Sequence, residues 1–137
     1  MVVEHLEDPD TQFQEVNRIL RPGGLFIFHT PNALGYLTIM NKLTPEKLKA
    51  GLIYLLEGRK ESDIFETHYK ANSRKKIDEL ARATGFEVVK IKMLATDAAF
   101  ALVPPLAIPE LIGIRLLMTA PLKPFRTNII AVSRKVA

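Results

Sequence analysis

The sequence predicts an α/β chain, and three observations predict it. An unbroken apolar run, LFIFHT at 25–30, comes directly after a helical segment and an Arg21-Pro22-Gly23-Gly24 turn. A second strand pattern, FEVVKIKM at 86–93, follows a capped helical segment, and a third apolar run sits inside RTNIIAVSRK near the end of the chain. Strands alternating with helices are the mark of a layered fold in which helices cover a sheet. With 137 residues, 47% of them apolar, one domain with its own core is expected.

Asp8 followed by Pro9 opens the first helix: the carboxylate accepts from unpaired backbone amides, and proline at the first helical position gives up no needed hydrogen bond. The helix should run to about Leu20, with Phe13, Val16, Ile19 and Leu20 as its buried stripe and Gln12, Gln14, Asn17 and Arg18 facing water. Pro22 and the two glycines end it. LFIFHT shows no alternation, which predicts a strand covered on both faces.

Residues 33 to 71 carry a weaker signal, with one helix expected at about 45–57 through Leu48, Leu52, Leu55 and Leu56. Ser73 or Asn72 should cap the next helix, Ile77, Leu80 and Ala81 should face inward, and Gly85 should end it. In 86–93, Val89, Ile91 and Met93 fall on one face and Lys90 and Lys92 on the other, the pattern of a half-covered strand whose lysines discourage edge pairing. Ile129, Ile130, Ala131 and Val132 read as the last buried strand.

Between these strands lies the most apolar region, 93–122, broken by Pro104, Pro105 and Pro109. A short helix is expected after Pro109, with Leu111, Ile112, Ile114, Leu116, Leu117 and Met118 around nearly its whole circumference. Such a helix must be covered by something. The longest uncharged run, 98–109, is far short of the roughly 20 residues that a membrane-spanning helix needs. A buried or interfacial element is therefore expected there.

The charge balance of +4, with a pI near 9.4, permits an anionic ligand, a membrane surface or nucleic acid and selects none of them. Arg74, Lys75 and Lys76 form the densest basic cluster, but no aromatic residues are interleaved with it, so a solvated helix face is expected and no nucleic-acid partner. Zero cysteines exclude disulfides, thiolate metal sites and cysteine catalysis. Glu4, Glu7 and Asp8 stand where a secretory signal needs a basic start and an apolar core, so a cytoplasmic protein is expected.

Taken together, VVEHLEDP, RILRPGGLFIFHTPN, FETHYKANSRKKIDELARATGFEVVKI and NIIAVSRK resemble, in order, the C-terminal half of class I S-adenosylmethionine-dependent methyltransferases of the type 11 and 12 group. The resemblance implies a Rossmann-like seven-stranded sheet in the order 3-2-1-4-5-7-6 with the last strand antiparallel. It makes MVV at 1–3 the end of strand four, 25–30 strand five, 86–93 strand six and 126–134 strand seven. Residues 1–137 would then be a partial domain with an apolar insertion at about 94–122. Met1 would be an internal methionine or the start of a truncated frame, and the hydrophobic edge left by strand four or five predicts poor solubility.

The implied cofactor is S-adenosylmethionine, yet its main binding motif is absent from these residues. Neither Gly23-Gly24 nor Gly35 forms G-x-G-x-x-G, and Gly23-Gly24 precedes a strand where the fingerprint must follow one. Weak cofactor binding and weak or absent activity are expected of this chain alone. The implied acceptor is a small molecule, a sugar, a quinone-like compound or a lipid. The apolar segment at 98–120 reads either as a lid or flap in peripheral membrane contact or as ordinary packing on the sheet.

Glu4 and His5 are the leading site candidates, because ligands of open α/β sheets lie beyond the carboxyl ends of the strands, which is where the resemblance puts these two. The resemblance implies that Glu4 and His5 line the space between cofactor and acceptor; His5 reads further as a general base on an acceptor hydroxyl or, with Glu4, as a brace for the next helix. One carboxylate and one imidazole are too few for a metal site, so none is expected. Thr30, Pro31 and Asn32 leave strand five at the same rim as candidate acceptor contacts or as plain turn chemistry. His68 and Tyr69 are candidates to fold over the site or to form a surface loop. His29 reads as a hydrogen-bonded core histidine. A non-catalytic remnant and a membrane-surface interaction protein remain the alternatives.

Overall fold

The computed structural model describes residues 2–45, 67–101 and 103–136, and within them an α/β arrangement with a three-stranded sheet. Helix α1 (Pro9–Ile19) leads into strand β1 (Leu25–Pro31) and helix α2 (Tyr36–Leu43). Helix α3 (Arg74–Ala83), strand β2 (Phe86–Leu94), helix α4 (Pro104–Leu117) and strand β3 (Asn128–Lys135) follow. The helix expected at about 45–57 falls outside the described residues beyond Pro45. The strand order is β1-β3-β2, with β3 antiparallel to both neighbours. That is the 5-7-6 order, with an antiparallel last strand, that the resemblance implied.

The capping chemistry read from the sequence is in place. The Asp8 carboxylate accepts from the Thr11 N–H at 3.2 Å and from the Thr11 hydroxyl at 2.5 Å. The hydroxyl bond, then the backbone bond, holds the Asp8 carboxyl below its ordinary value of 3.8. A carboxyl with a depressed folded-state pKa stabilises the fold above its unfolded pKa, and that contribution is lost as pH falls through the folded value. Helix α1 should therefore begin to fray at its first turn only below about pH 3.8; an NMR titration in which the Asp8 carboxyl titrates above that value would contradict the cap.

At the other end of α1, the Lys135 ammonium donates to the carbonyls of Asn17 and Leu20 at 2.7 and 2.8 Å, so the end of β3 caps the helix. Gly23 takes φ 77° in the turn, and its N–H donates to Lys135 O. Ser73 caps α3 through the Lys76 N–H, and Gly85, at φ 78°, ends it. Lys75 and Lys76 sit exposed beside Glu79, a solvated helix face.

The core lies between one face of the sheet and helices α1 and α3. Phe13 packs edge-on to Phe26 and Phe28, with ring centroids 5.1 and 5.4 Å apart, while Ile77, Leu80 and Ala81 close over Ile129, Ala131 and Met93. Four expectations differ here. Ile19 is exposed, because the side toward the core runs through buried Pro9 and Phe13 and half-buried Val16, Leu20 and Asn17, the last donating through its amide to Gly85 O at 3.0 Å.

Strand β1 is covered on one face only: its pleat puts Phe26, Phe28 and Thr30 against the core and leaves Leu25 50% and Ile27 60% exposed on the other. His29 shares that open face, so it is not a core histidine. In β2 a bulge between Val88 and Lys90 turns Val89 outward, and Val88 takes the inward place beside Ile91 and Met93.

Two elements begin elsewhere than expected. Val3–His5 is a short 3-10 turn preceded by Val2 in the right-handed helical region (φ −106°, ψ −39°), so no strand appears at 2–3. Helix α4 starts at Pro104, with Pro109 inside it, because Pro104 and Pro105 are tolerated in a first turn whose amides need no partners.

Candidate functional site

At the carboxyl end of β1 three separate segments meet. The 3-10 turn Val3–His5 packs against β1. The Glu4 carbonyl accepts from the His68 N–H at 2.8 Å and from the Tyr69 N–H at 3.3 Å, which fastens residues 68–69 onto that turn. Asn72, fully buried, then ties the same segment to the strand end: its side-chain amide donates to Thr30 Oγ1 at 2.6 Å and to Pro31 O at 2.9 Å, and its backbone carbonyl accepts from the Ala33 N–H at 2.7 Å. Glu4, His5, His68 and Tyr69, named from two distant parts of the sequence, are thus brought together.

Within that group the imidazole Nε2 of His5 lies 3.2 Å from Glu4 Oε1, with the Glu4 side chain mostly buried and that of His5 about a third exposed. His68 Nε2 lies 3.9 Å from the Glu7 carboxylate, which is largely in water. Tyr69 has a φ of 51°, a left-handed conformation that costs a residue with a Cβ roughly 1–2 kcal/mol. Contacts on its ring offset that strain: the Lys42 ammonium lies 5.1 Å from the ring centre, and the Asn41 amide donates to the phenol oxygen at 3.4 Å. Both come from α2, a helix the sequence did not announce. Among the described residues no three His, Asp or Glu side chains converge as a metal centre would.

Thr30 and Asn32 occupy the rim differently from an open pocket lining. Thr30 is fully buried and accepts from Asn72. Asn32, 1% exposed, donates through Nδ2 to Pro124 O and Arg126 O, both at 2.7 Å, and its Oδ1 accepts from the Leu34 N–H. It holds the end of β1 to the approach of β3. Pro31, half-buried, pairs opposite Asn128 in the sheet.

A second polar cluster at the same end of the sheet went unrecognised in the sequence. The Tyr36 hydroxyl donates to Glu110 Oε1 at 2.8 Å and to Asp97 O at 3.1 Å, and Glu110 Oε2 accepts from the Phe100 N–H at 2.8 Å. Burial, reinforced by the Glu110 carboxylate, pushes the Tyr36 phenol well above its ordinary value, so it remains a donor. The buried Asn128 amide donates to Thr96 Oγ1 at 2.7 Å and to the Asp97 carboxylate. Arg126 donates to the carbonyls of Leu117, Met118 and Met93, capping α4 and joining it to the end of β2. Together these contacts seat α4 beside the rim. The one signal that could have found the cluster is Glu110 itself, the sole acidic residue between 98 and 126.

Neither of the two glycine turns near β1 fits the nucleoside part of S-adenosylmethionine. Gly23 and Gly24 lie at the amino end of β1, away from the rim, and the Gly23 N–H is already bonded to Lys135 O. At Gly35 an added Cβ would meet Thr127 Cα at 3.0 Å and Asn32 O at 3.1 Å, so that glycine answers the packing of its own chain and makes no ligand cradle.

No curated protein matches the chain. Its structure is similar to the crystal structure of an S-adenosylmethionine dependent methyltransferase from Mesorhizobium loti, with a TM-score of 0.52 and 17% identity over 98% of this chain and 58% of that one. The chain thus spans less than two thirds of that relative's length, and at this identity the likeness is one of fold. The family model described as a methyltransferase domain matches residues 1–91, a span that contains the whole Glu4–His5–His68–Tyr69 group. The chain belongs to the methyltransferase domain family.

Proposed function

We propose that this chain forms the acceptor side of an S-adenosylmethionine-dependent methyl transfer to a hydroxyl-bearing small molecule or lipid-like compound. One observation carries the reading: Glu4 and His5 are held against His68 and Tyr69 beyond the carboxyl end of β1, where open α/β sheets bind their ligands. His5 takes the proton from the acceptor hydroxyl, and the adjacent Glu4 carboxylate orients the ring and stabilises the imidazolium that forms. Tyr69 and His68 flank the acceptor and fix its approach, since transfer between aligned partners depends mainly on positioning. Thr30, Pro31 and Asn32 support this arrangement from behind by shaping the strand end. The methyl donor itself finds no cradle in either glycine turn near β1, which favours, as a second reading, a module that binds the acceptor without chemistry.

The test is an NMR titration of the labelled histidine rings with a phenol, a sugar and an isoprenoid quinone precursor. The reading expects one of these classes to shift His5 and His68 together and to leave His29, on the open face of the sheet, unmoved. Titrations in which all three classes leave His5 and His68 in place would sink it.

A further inference from the structure

We propose that helix α4 docks the protein on an anionic lipid surface, lying flat against it through Ile108, Leu111, Ile112 and Leu116. The inference is independent of the chemistry proposed above. Helix α4 has 14 residues and contributes no buried side chain. Val103, Ala107, Glu110, Ile114 and Leu117, at three- and four-residue spacing, are its half-buried side toward the protein. The opposite side carries Ile108, 68% exposed, Leu111 and Ile112, each 57% exposed, and Leu116, 54% exposed. This reverses the usual polarity of a surface helix, which keeps its apolar stripe against the core. Met118 and Phe125 extend the apolar surface.

Length and charge decide what covers that face. A helix of this size is about 21 Å long, short of a hydrocarbon core about 30 Å thick. No helix of the described residues is long and apolar enough to cross a membrane. The helix must then lie in the plane of an interface. Its one acidic residue, Glu110, is turned inward to the Tyr36 hydroxyl and the Phe100 N–H. Arg126 is spent on backbone carbonyls, whereas Arg115 and Lys123 are exposed.

Among the described residues, the outward face of α4 and its border therefore present large aliphatic side chains and cations, with no exposed anion from 98 to 126. Apolar insertion beside cations is what an anionic headgroup layer recognises. A protein partner would call for a rim of hydrogen-bonding side chains. Here the exposed positions between 104 and 112 are prolines, leucines and isoleucines alone. Because Tyr36 and Glu110 seat α4 at the carboxyl end of β1, the lipid surface would border the acceptor side of the sheet.

Vesicle flotation of the 137-residue chain tests the proposal, with phosphatidylcholine alone and with added phosphatidylglycerol. Flotation is expected with the anionic vesicles. Ile112→Asp should reduce it about tenfold or more, since a charge is costly at the apolar boundary. Arg115→Gln and Lys123→Gln should each reduce it about fivefold. All three variants should keep the parent's thermal midpoint, because no α4 side chain is buried and Lys123 beyond it is exposed, and Ile27→Asp, on the open sheet face, should float as the parent does. No flotation with either vesicle, flotation unchanged in Ile112→Asp, flotation lost only in Ile27→Asp, or self-association that Ile112→Asp abolishes in place of flotation would each overturn the proposal.

Discussion

Phe13→Ala should remove a large share of the chain's stability. The ring is 1% exposed and meets Phe26 and Phe28 edge-on, so it is the fully buried apolar side chain by which α1 packs on the sheet. Truncating a buried phenylalanine costs about 3–5 kcal/mol, out of a total of about 5–15 kcal/mol for an ordinary domain. A fall of about 10 °C or more in the thermal midpoint follows for a chain of this size. Ile19→Ala, on the same helix but 69% exposed, should change stability by no more than about 0.5 kcal/mol. Equal losses from the two substitutions in circular-dichroism melts would mean that α1 does not dock as described.

Asn72→Ala should loosen the candidate site more than it unfolds the protein. The substitution leaves the Thr30 hydroxyl and the Pro31 carbonyl without their donor in a fully buried position, a cost of about 1–3 kcal/mol. Its larger effect is local. Residues 68 and 69 hang from the Glu4 carbonyl on one side and are anchored through Asn72 on the other, and Tyr69 holds a left-handed backbone that relaxes if either anchor goes. Hydrogen exchange should therefore speed up about tenfold to a hundredfold at the His68 and Tyr69 amides. Protection of the α3 and β3 amides should change only by the global loss. Unchanged exchange at His68 and Tyr69 would show that Asn72 does not hold the site.

What the sequence made legible was chemistry that acts over a few residues. Asp8-Pro9, Ser73 and Gly85 announced their caps because a helix end is a local problem with few solutions. The three strands were legible from their apolar runs, and the resemblance supplied their order, which pairing across some 100 residues of chain could not reveal by itself. Faces were harder. An all-apolar strand such as LFIFHT cannot say whether its second face is covered, so Ile27 and His29 were misplaced, and the bulge that turns Val89 outward leaves no mark in an alternating pattern.

The site divided in the same way. Glu4, His5, His68 and Tyr69 were legible as residue types at the ends of elements. Their meeting depends on Asn72, whose sequence role looked like a cap and whose structural role is a buried tie. Tyr36 and Glu110 lie 74 positions apart, on a helix with weak periodicity and on one whose apolar residues run all the way around, so no spacing rule connects them.

The central claim is that these residues shape the acceptor's side of methyl transfer and provide no seat for the methyl donor. Isothermal titration of S-adenosylmethionine into the purified 137-residue chain tests it most directly. The account predicts no saturable heat at micromolar concentrations. Tight uptake of one S-adenosylmethionine per chain would contradict it.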